Sequence, residues 1–196
     1  MLRKIWPRVG LSLSLAGCAS VSPPPSAANV SPVACATAPG AVQRTTGLQV
    51  EYLGADPSNP ELCLSRRGGK PFVGWFGVWA TEWPGAEDAR GALRTVLYGP
   101  PGTVARFDTN AGPGFHWHET YRNEGVEDIP LLGRQYRTQR IAHEREGFDG
   151  NTYHSVVTQW REIDSGMVVY QNYGHISGRP ELVQWDPARI VEPRAR

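Results

Sequence analysis

Short segments rich in valine, tyrosine, tryptophan and threonine alternate with glycine, proline, asparagine and aspartate over most of this 196-residue chain. Turn residues that recur so often favour antiparallel β structure over strands separated by long helices. The predicted strands are 47–53, 62–66, 72–82, 93–98, 104–108, 115–122, 134–145, 152–163 and 167–173. Short polar turns at 147–151 and 164–166 predict that the last three strands form consecutive hairpins.

One short helix is predicted, a turn or two that starts at Ala86. Glu87 and Asp88 would lie in its first turn, where the positive end of the helix dipole favours carboxylates. The same stretch is equally compatible with a plain connection between two strands.

A meander of this many twisted strands must protect its exposed edges, either by closing into an up-and-down barrel or by folding into two sheets. The alternation in 152–163 places polar and apolar side chains on both faces of the strand. Mixed faces are typical of a ligand-binding barrel with a polar interior, and also of a strand wetted on one side. We therefore predict an all-β domain, with a barrel as first choice and a two-sheet sandwich as second.

Length and charge limit the class of protein. The chain has 20 basic and 19 acidic residues, and no run of like charges forms a basic stripe that would attract nucleic acid. A nucleic acid partner is therefore not expected. The length allows one domain with its own core once a leader and a tether are set aside.

The first residues have the pattern of an export signal. A short apolar run at 9–16 follows the basic residues Arg3, Lys4 and Arg8. This run is too short to span a bilayer. The run ends in the letters LAGC, whose cysteine is Cys18. These four residues resemble the lipobox of bacterial lipoproteins, in which a peptidase cuts before a lipid-bearing cysteine.

The resemblance implies that residues 1–17 are a signal peptide and that Cys18 is lipidated, since several acyl chains together anchor a protein stably in a membrane. Ala19 follows, where an aspartate would imply retention at the inner membrane, so the resemblance implies the outer membrane, facing the periplasm. Residues 18–33 are rich in serine, proline and alanine and are predicted to form a flexible tether. Residues 34–196 are predicted to form the single β domain.

Two cysteines, Cys35 and Cys63, remain if Cys18 carries lipid. The periplasm permits disulfides, so we predict that the two pair. Such a bond would stabilise the fold by about 3 to 4 kcal/mol on the chain-entropy model. The alternative is two free thiols, because a sequence does not show whether the Cα atoms lie within bridging distance.

The segment 72–83, FVGWFGVWATEW, alternates glycines with large aromatic residues, an arrangement in which bulky rings pack against close backbone. It contains Gly77-Val78-Trp79. These residues resemble the Gly-x-Trp signature of lipocalins, some of which are outer-membrane lipoproteins in bacteria. The resemblance implies a calycin-like barrel with Trp79 near a ligand, and the alternative is an aromatic core strand of any β domain.

All 5 histidines lie between residues 116 and 175. His116 and His118 are two apart on a predicted strand and share a face, a spacing that can chelate zinc or iron. A third ligand would come from His143, His154, Glu119 or Glu124. The alternative is two surface histidines that flank a buried Trp117.

Arginines concentrate on one predicted strand, which carries Arg134, Arg137, Arg140 and Arg145, and Arg122 and Arg161 could face them from neighbouring strands. Neighbouring carboxylates make cross-strand ion pairs the plain interpretation. The alternative is a basic cradle for an anionic ligand such as a phospholipid head group, a fatty acid or a glycan phosphate, because guanidinium groups fit phosphate and carboxylate. The candidate ligand-binding residues are Trp79, Arg137, Arg140, Arg161 and Tyr153.

The hydrolase motifs GxSxG, SxxK and HExxH do not occur in the chain, so no catalytic residue and no cofactor is assigned. The first hypothesis is an envelope lipoprotein whose β domain binds a small amphipathic or anionic ligand. The second is a structural or accessory envelope protein that acts through contacts with a protein partner. The third is a metal-dependent enzyme that uses His116 and His118.

Overall fold

A computed structural model of the protein describes residues 32–36, 40–44, 49–131, 133–178 and 190–193. The predicted signal peptide, Cys18, Ala19 and most of the predicted tether lie outside these residues. In the described part of the chain, no helix is both long enough and apolar enough to cross a membrane.

Strands dominate the described chain. In chain order the elements are β1 Gly40–Arg44, β2 Gln49–Asp56, β3 Asn59–Arg67, β4 Lys70–Trp75, β5 Trp79–Ala80, α1 Ala86–Tyr98, β6 Val104–Asn110, β7 His116–Leu131, β8 Arg134–Gly147, β9 His154–Glu162, β10 Val168–Ser177 and β11 Ile190–Pro193. Strand β9 pairs antiparallel with both β8 and β10, which confirms the predicted consecutive hairpins.

The strands form two antiparallel sheets in which sequence neighbours pair. The first sheet has the order β11-β1-β2-β3-β4-β5, and the second has the order β10-β9-β8-β7-β6. The predicted all-β antiparallel class is confirmed. Among the described strands no pairing joins the two sheets, so they fit the sandwich-like second choice and do not close into the barrel of the first choice.

The helix α1 occupies the region where the sequence predicts a strand at 93–98, and that prediction is wrong. The predicted start at Ala86 is right, but α1 continues for 13 residues. Its buried residues recur at the three- and four-residue spacing of one helix face, and they are Ala89, Ala92, Leu93, Val96 and Leu97. This helix packs against β4, β5, β6 and β7 and therefore bridges the two sheets.

The predicted strand 72–82 is interrupted by a turn. Strand β4 ends at Trp75, and Phe76 and Gly77 have φ values of 52° and 69° as the chain reverses into β5. A positive φ in a bulky residue is unfavourable unless its surroundings hold it. Arg161 of β9 donates a hydrogen bond of 2.8 Å to the Phe76 carbonyl and so ties this turn to the second sheet.

The predicted disulfide between Cys35 and Cys63 is confirmed, with Cα atoms 5.2 Å apart. It ties the segment 32–36 to β3. Arg161 supports the same segment from the second sheet by donating to the Ala34 carbonyl at 3.0 Å. The start of the described domain is therefore fixed to both sheets.

Buried amide side chains of the second sheet hold the end of α1. Gln139 donates to the Leu97 carbonyl at 2.9 Å, and Asn123 donates to the Gly99 carbonyl at 2.8 Å. Carbonyls at a helix end have no partner within the helix and must be satisfied from outside. These bonds fix α1 across one face of the second sheet.

Candidate ligand cavity

Residues of the second sheet alternate between two faces with different surroundings. Glu119 and Tyr121 of β7 are buried, whereas His118 between Glu119 and Trp117 is exposed. We call the side of Glu119 the inner face and the side of His118 the outer face. Antiparallel pairing continues the inner face onto β8. Arg145 lies opposite Glu119, and His143, which precedes Arg145 by two residues, lies opposite Tyr121.

The inner face lines a cavity of about 340 Å³. All strands of the second sheet contribute to its wall, and the β4–β5 turn and the segment before α1 close it. The volume falls in the range of small-molecule sites. The lining residues are Val78, Trp79, Trp83, Pro84, Thr109, Ala111, Trp117, Tyr121, His143, Arg145, Tyr153, Ser155, Val157, Gln159 and Tyr173.

Aromatic side chains form much of the wall. The Trp79 ring makes edge contacts with Trp83 and Phe107, with centroid distances of 5.6 and 5.5 Å. The hydroxyls of Tyr153 and Tyr173 lie 3.2 Å apart and form a hydrogen bond. Such a wall offers ring faces and edges on which a planar apolar molecule can stack.

A buried carboxylate lies next to this wall. Glu119 is fully buried and accepts hydrogen bonds from the Thr109 hydroxyl at 2.9 Å, from His143 Nε2 at 2.7 Å and from Arg145 Nε at 2.9 Å. The Arg145 Nη2 atom is also 2.9 Å from Glu119 Oε1. A buried charge is tolerated when it is paired and hydrogen-bonded, and both oxygens of Glu119 are engaged.

The partners of Glu119 keep it ionised. Burial acts to raise the pKa of the carboxyl, because it disfavours the anion. The hydrogen bond and positive charge of His143, with the charge and hydrogen bond of Arg145, outweigh burial and lower the pKa of Glu119 from 4.5 to about 2. Glu119 is therefore an anion at neutral pH.

The ring of His143 is held in one orientation. It stacks on Tyr121 with centroids 4.2 Å apart and planes inclined by 6°, while its Nε2 bonds Glu119. Its second nitrogen, Nδ1, has no hydrogen-bond partner among the described residues. His143 itself lines the cavity.

Arg145 belongs to the same wall. Its guanidinium carbon lies 4.9 Å from the ring centre of Trp117 and 5.7 Å from that of Trp79, within the range of cation–π attraction. The two rings and the carboxylate of Glu119 together fix the guanidinium at the cavity.

Three buried donors in the wall have no hydrogen-bond partner within the described ranges. They are Nε1 of Trp79, Nε1 of Trp117 and the hydroxyl of Tyr121. An unpaired buried polar group costs about 1 to 3 kcal/mol.

Two of the predicted ligand-binding residues, Trp79 and Tyr153, come together at the cavity. None of the predicted arginines Arg137, Arg140 and Arg161 lines it. Arg137 is exposed, and Arg161 is buried and bonded to backbone carbonyls. These three residues therefore do not form a basic cradle at the cavity.

Arg140 follows the plain interpretation, cross-strand ion pairing. It lies on the outer face and bonds Glu124 at 2.6 Å and Glu127 at 3.2 Å. Trp160 of β9 donates to the same Glu127 at 2.7 Å. This outer group is separated from the cavity by the sheet itself.

The predicted metal pair also lies on the outer face. His116 Nδ1 is 3.1 Å from an oxygen of Asp149, and His118 Nδ1 is 2.7 Å from an oxygen of Asp108. Phe148 stacks on His118 at a centroid distance of 4.2 Å. In the part of the chain that the structure describes, no group of three histidine, cysteine, aspartate or glutamate residues is placed to hold a metal ion.

The sequence reveals only part of the bonded group formed by Glu119, His143 and Arg145. Glu119 and His143 stand out there as third ligands for a metal, and Arg145 as one of several arginines on a strand. The two-residue spacing of His143 and Arg145 does place them on one face. What the spacing does not show is that β7 presents Glu119 to that face.

No family model matches the chain, and no curated protein and no solved structure shows significant similarity to it.

Proposed function

We propose that this protein is an envelope lipoprotein whose β domain binds one small amphipathic ligand in the inner-face cavity. The observation that carries the proposal is the aromatic-walled space of about 340 Å³ beside the bonded group Glu119, His143 and Arg145. Small-molecule sites are typically concave and largely apolar, with a few polar groups that orient the ligand.

The cavity also favours a binding module over an accessory protein that acts through its surface. Small-molecule sites are concave, largely apolar and lined by aromatic side chains. The space beside Trp79, Trp83, Tyr153 and Tyr173 has this character and a matching size. A protein that acts only through its outer surface does not need such a space.

The membrane anchor is part of the same proposal. The LAGC motif supports lipidation of Cys18, and Ala19 supports an outer-membrane location facing the periplasm. The composition of residues 18–33 supports a flexible tether between lipid and domain. A domain held in this way would keep its ligand close to the membrane, so its partners are the membrane and a small molecule.

Native mass spectrometry of the mature domain, made in the periplasm of its native host with Cys18→Ser, tests the cavity. Val157→Trp places a large ring in the cavity, and Val156→Trp places the same ring on the opposite face of β9. We expect a co-purifying mass, lost on denaturation, in the parent and in Val156→Trp, and its loss in Val157→Trp. A mass that survives Val157→Trp, or its absence from all three proteins, contradicts the proposal.

Membrane fractionation tests the anchor separately. The wild-type protein should sediment with the outer membrane, and Cys18→Ser should move it to the soluble periplasmic fraction, because the thiol that receives the lipid is gone. A wild-type protein that is already soluble contradicts the anchor and leaves the cavity proposal standing.

A further inference from the structure

We infer that the part of the ligand that enters the cavity is an uncharged, planar aromatic ring system. The inference rests on the proposed function, since it assigns a chemical class to the occupant of the same cavity. The atoms that the wall presents, the bonding of its polar side chains and the arrangement of its rings each support it.

The largest side chains of the wall present carbon to the cavity. Trp79 and Trp117 both line it, and the Nε1 atom of each is buried with no hydrogen-bond partner in the described chain. The hydroxyl of Tyr121, a third lining residue, is buried in the same way. These side chains therefore contact an occupant through their rings, and a charged group beside them would lose its hydration without a bond in return.

Other polar side chains of the wall are bonded within the protein. The hydroxyls of Tyr153 and Tyr173 form a hydrogen bond of 3.2 Å, and Gln159 donates to Gln171 at 3.1 Å. A ligand that formed strong hydrogen bonds to these groups would have to compete with bonds already present. The wall therefore favours a ligand that needs few of them.

The charged groups beside the cavity oppose a charged occupant. The basic side chains that line it, His143 and Arg145, direct hydrogen bonds of 2.7 and 2.9 Å at Glu119, which is fully buried. A ligand anion would meet groups that already bond a carboxylate, and no described carboxylate lines the cavity to pair with a ligand cation. Because a buried ion without a partner is strongly unfavourable, a charged substituent would stay outside the cavity.

The arrangement of the rings favours a flat molecule. Trp79 makes edge contacts with Trp83 and Phe107, and the stacked rings of Tyr121 and His143 continue the aromatic surface. Aromatic rings attract other rings in stacked or edge-on geometry beyond the gain from burial alone. A flexible acyl chain lacks this attraction and loses more conformational entropy when it is ordered, so a planar aromatic molecule gains most from this wall.

Fluorescence titration with two probes tests whether the occupant is uncharged. Phenylnaphthylamine is neutral, and anilinonaphthalenesulfonate has the same rings with an added sulfonate. The protein is the mature Cys18→Ser domain, freed of its ligand by unfolding and refolding. We expect the neutral probe to bind at least about tenfold more tightly, because entry of the sulfonate would remove its hydration.

Two variants place the neutral probe in the cavity. Its binding should be lost in Val157→Trp, which fills the cavity, and kept in Val156→Trp, which carries the same ring on the opposite face of β9. The comparison of the two probes on the parent domain stands even if Val157→Trp fails to fold.

Displacement of the bound probe tests the preference for rings. Naphthalenemethanol and octanol are uncharged alcohols of similar hydrophobicity, the first planar and aromatic, the second flexible. We expect naphthalenemethanol to displace half of the probe at about a third or less of the octanol concentration, because only its rings pair with those of the wall. A smaller difference, or a preference for octanol, overturns the aromatic assignment.

A weaker preference for the neutral probe, or binding of that probe that persists in a folded Val157→Trp, overturns the inference and does not bear on the co-purifying mass. If neither probe binds but the co-purifying mass is sensitive to Val157→Trp, the inference alone fails. If neither probe binds and no such mass is found, the proposed function fails with it.

Discussion

The two faces of the second sheet carry the same residue types in different surroundings. On the inner face Glu119 is 0% exposed and bonds both His143 and Arg145. On the outer face Arg140 and Glu124 form an ion pair of 2.6 Å with side chains 38% and 27% exposed. The inner carboxylate has a pKa lowered to about 2, and it adjoins the cavity.

The two groups have similar charges and bond lengths, so the difference in burial decides how much each contributes to stability. An exposed pair exchanges its partners for water at little cost and is screened by salt. A buried group has no such replacement, so removal of one member leaves the others unpaired. We therefore expect the inner group to govern stability and ligand binding, and the outer group to tolerate substitution.

The largest expected effect comes from Glu119→Gln. Because it leaves Arg145 and His143 without their carboxylate, we expect the free energy of unfolding to fall by about 4 kcal/mol. The matched outer change, Glu124→Gln on the same strand, should lower it by less than about 1 kcal/mol. Urea unfolding of the two variants and the wild type measures both values, and equal losses would remove the distinction between the faces.

The contribution of Glu119 to the free energy of unfolding should depend on pH in the acid range. The pKa of Glu119 is lowered from 4.5 to about 2 in the folded protein, so its contribution to stability is present above pH 4.5 and is lost as the pH falls toward 2. Integrated over that window the contribution is about 3 kcal/mol.

The measurement is the stability of wild type minus that of Glu119→Gln as a function of pH. We expect the difference to be constant from neutral pH down to about pH 5 and to shrink below that. A difference that does not change between neutral pH and the acid limit would contradict the buried ionised state of Glu119.

The smallest expected effect is on the outer face at His118. Its side chain is 51% exposed and pairs with Asp108, which is 65% exposed. His118→Ala should therefore change the free energy of unfolding by less than about 0.5 kcal/mol and leave the co-purifying ligand in place. Loss of that ligand in this variant, seen by native mass spectrometry, would place the functional site on the outer face and contradict the proposal.

Much of the fold is predictable from local signals. Turn residues locate the hairpins that follow β8 and β9, and the two cysteines predict the bond that fixes the segment 32–36. The strand predicted at 93–98 fails because leucine and valine suit a buried strand as well as a buried helix face. The spacing that distinguishes them extends back to Ala89, beyond the segment read as a strand.

The site is harder to predict, because it depends on a bulge. The pairing of β7 with β8 shifts between Asn123 and Gly125, so Glu119 lies opposite Arg145. If the pairing next to the β7–β8 turn continued along both strands without this shift, Glu119 would lie opposite Glu146. Its side chain would then point to the outer face. Gly125, whose φ is 104°, is a residue type that often marks a bulge, but it does not show which face Glu119 takes. The prediction of Trp79 and Tyr153 at a common site needs only their aromatic character, and both line the cavity.

The indole N–H signals of isotope-labelled protein, recorded with its co-purifying ligand and again after the ligand is removed by unfolding and refolding, show whether the inner face holds the ligand. Trp79 and Trp117 line the cavity, whereas Trp160 lies on the outer face and donates to Glu127 at 2.7 Å. We predict that the signals of Trp79 and Trp117 move and that of Trp160 stays in place. If Trp160 moves while the two cavity residues do not, the ligand binds elsewhere and the account is wrong.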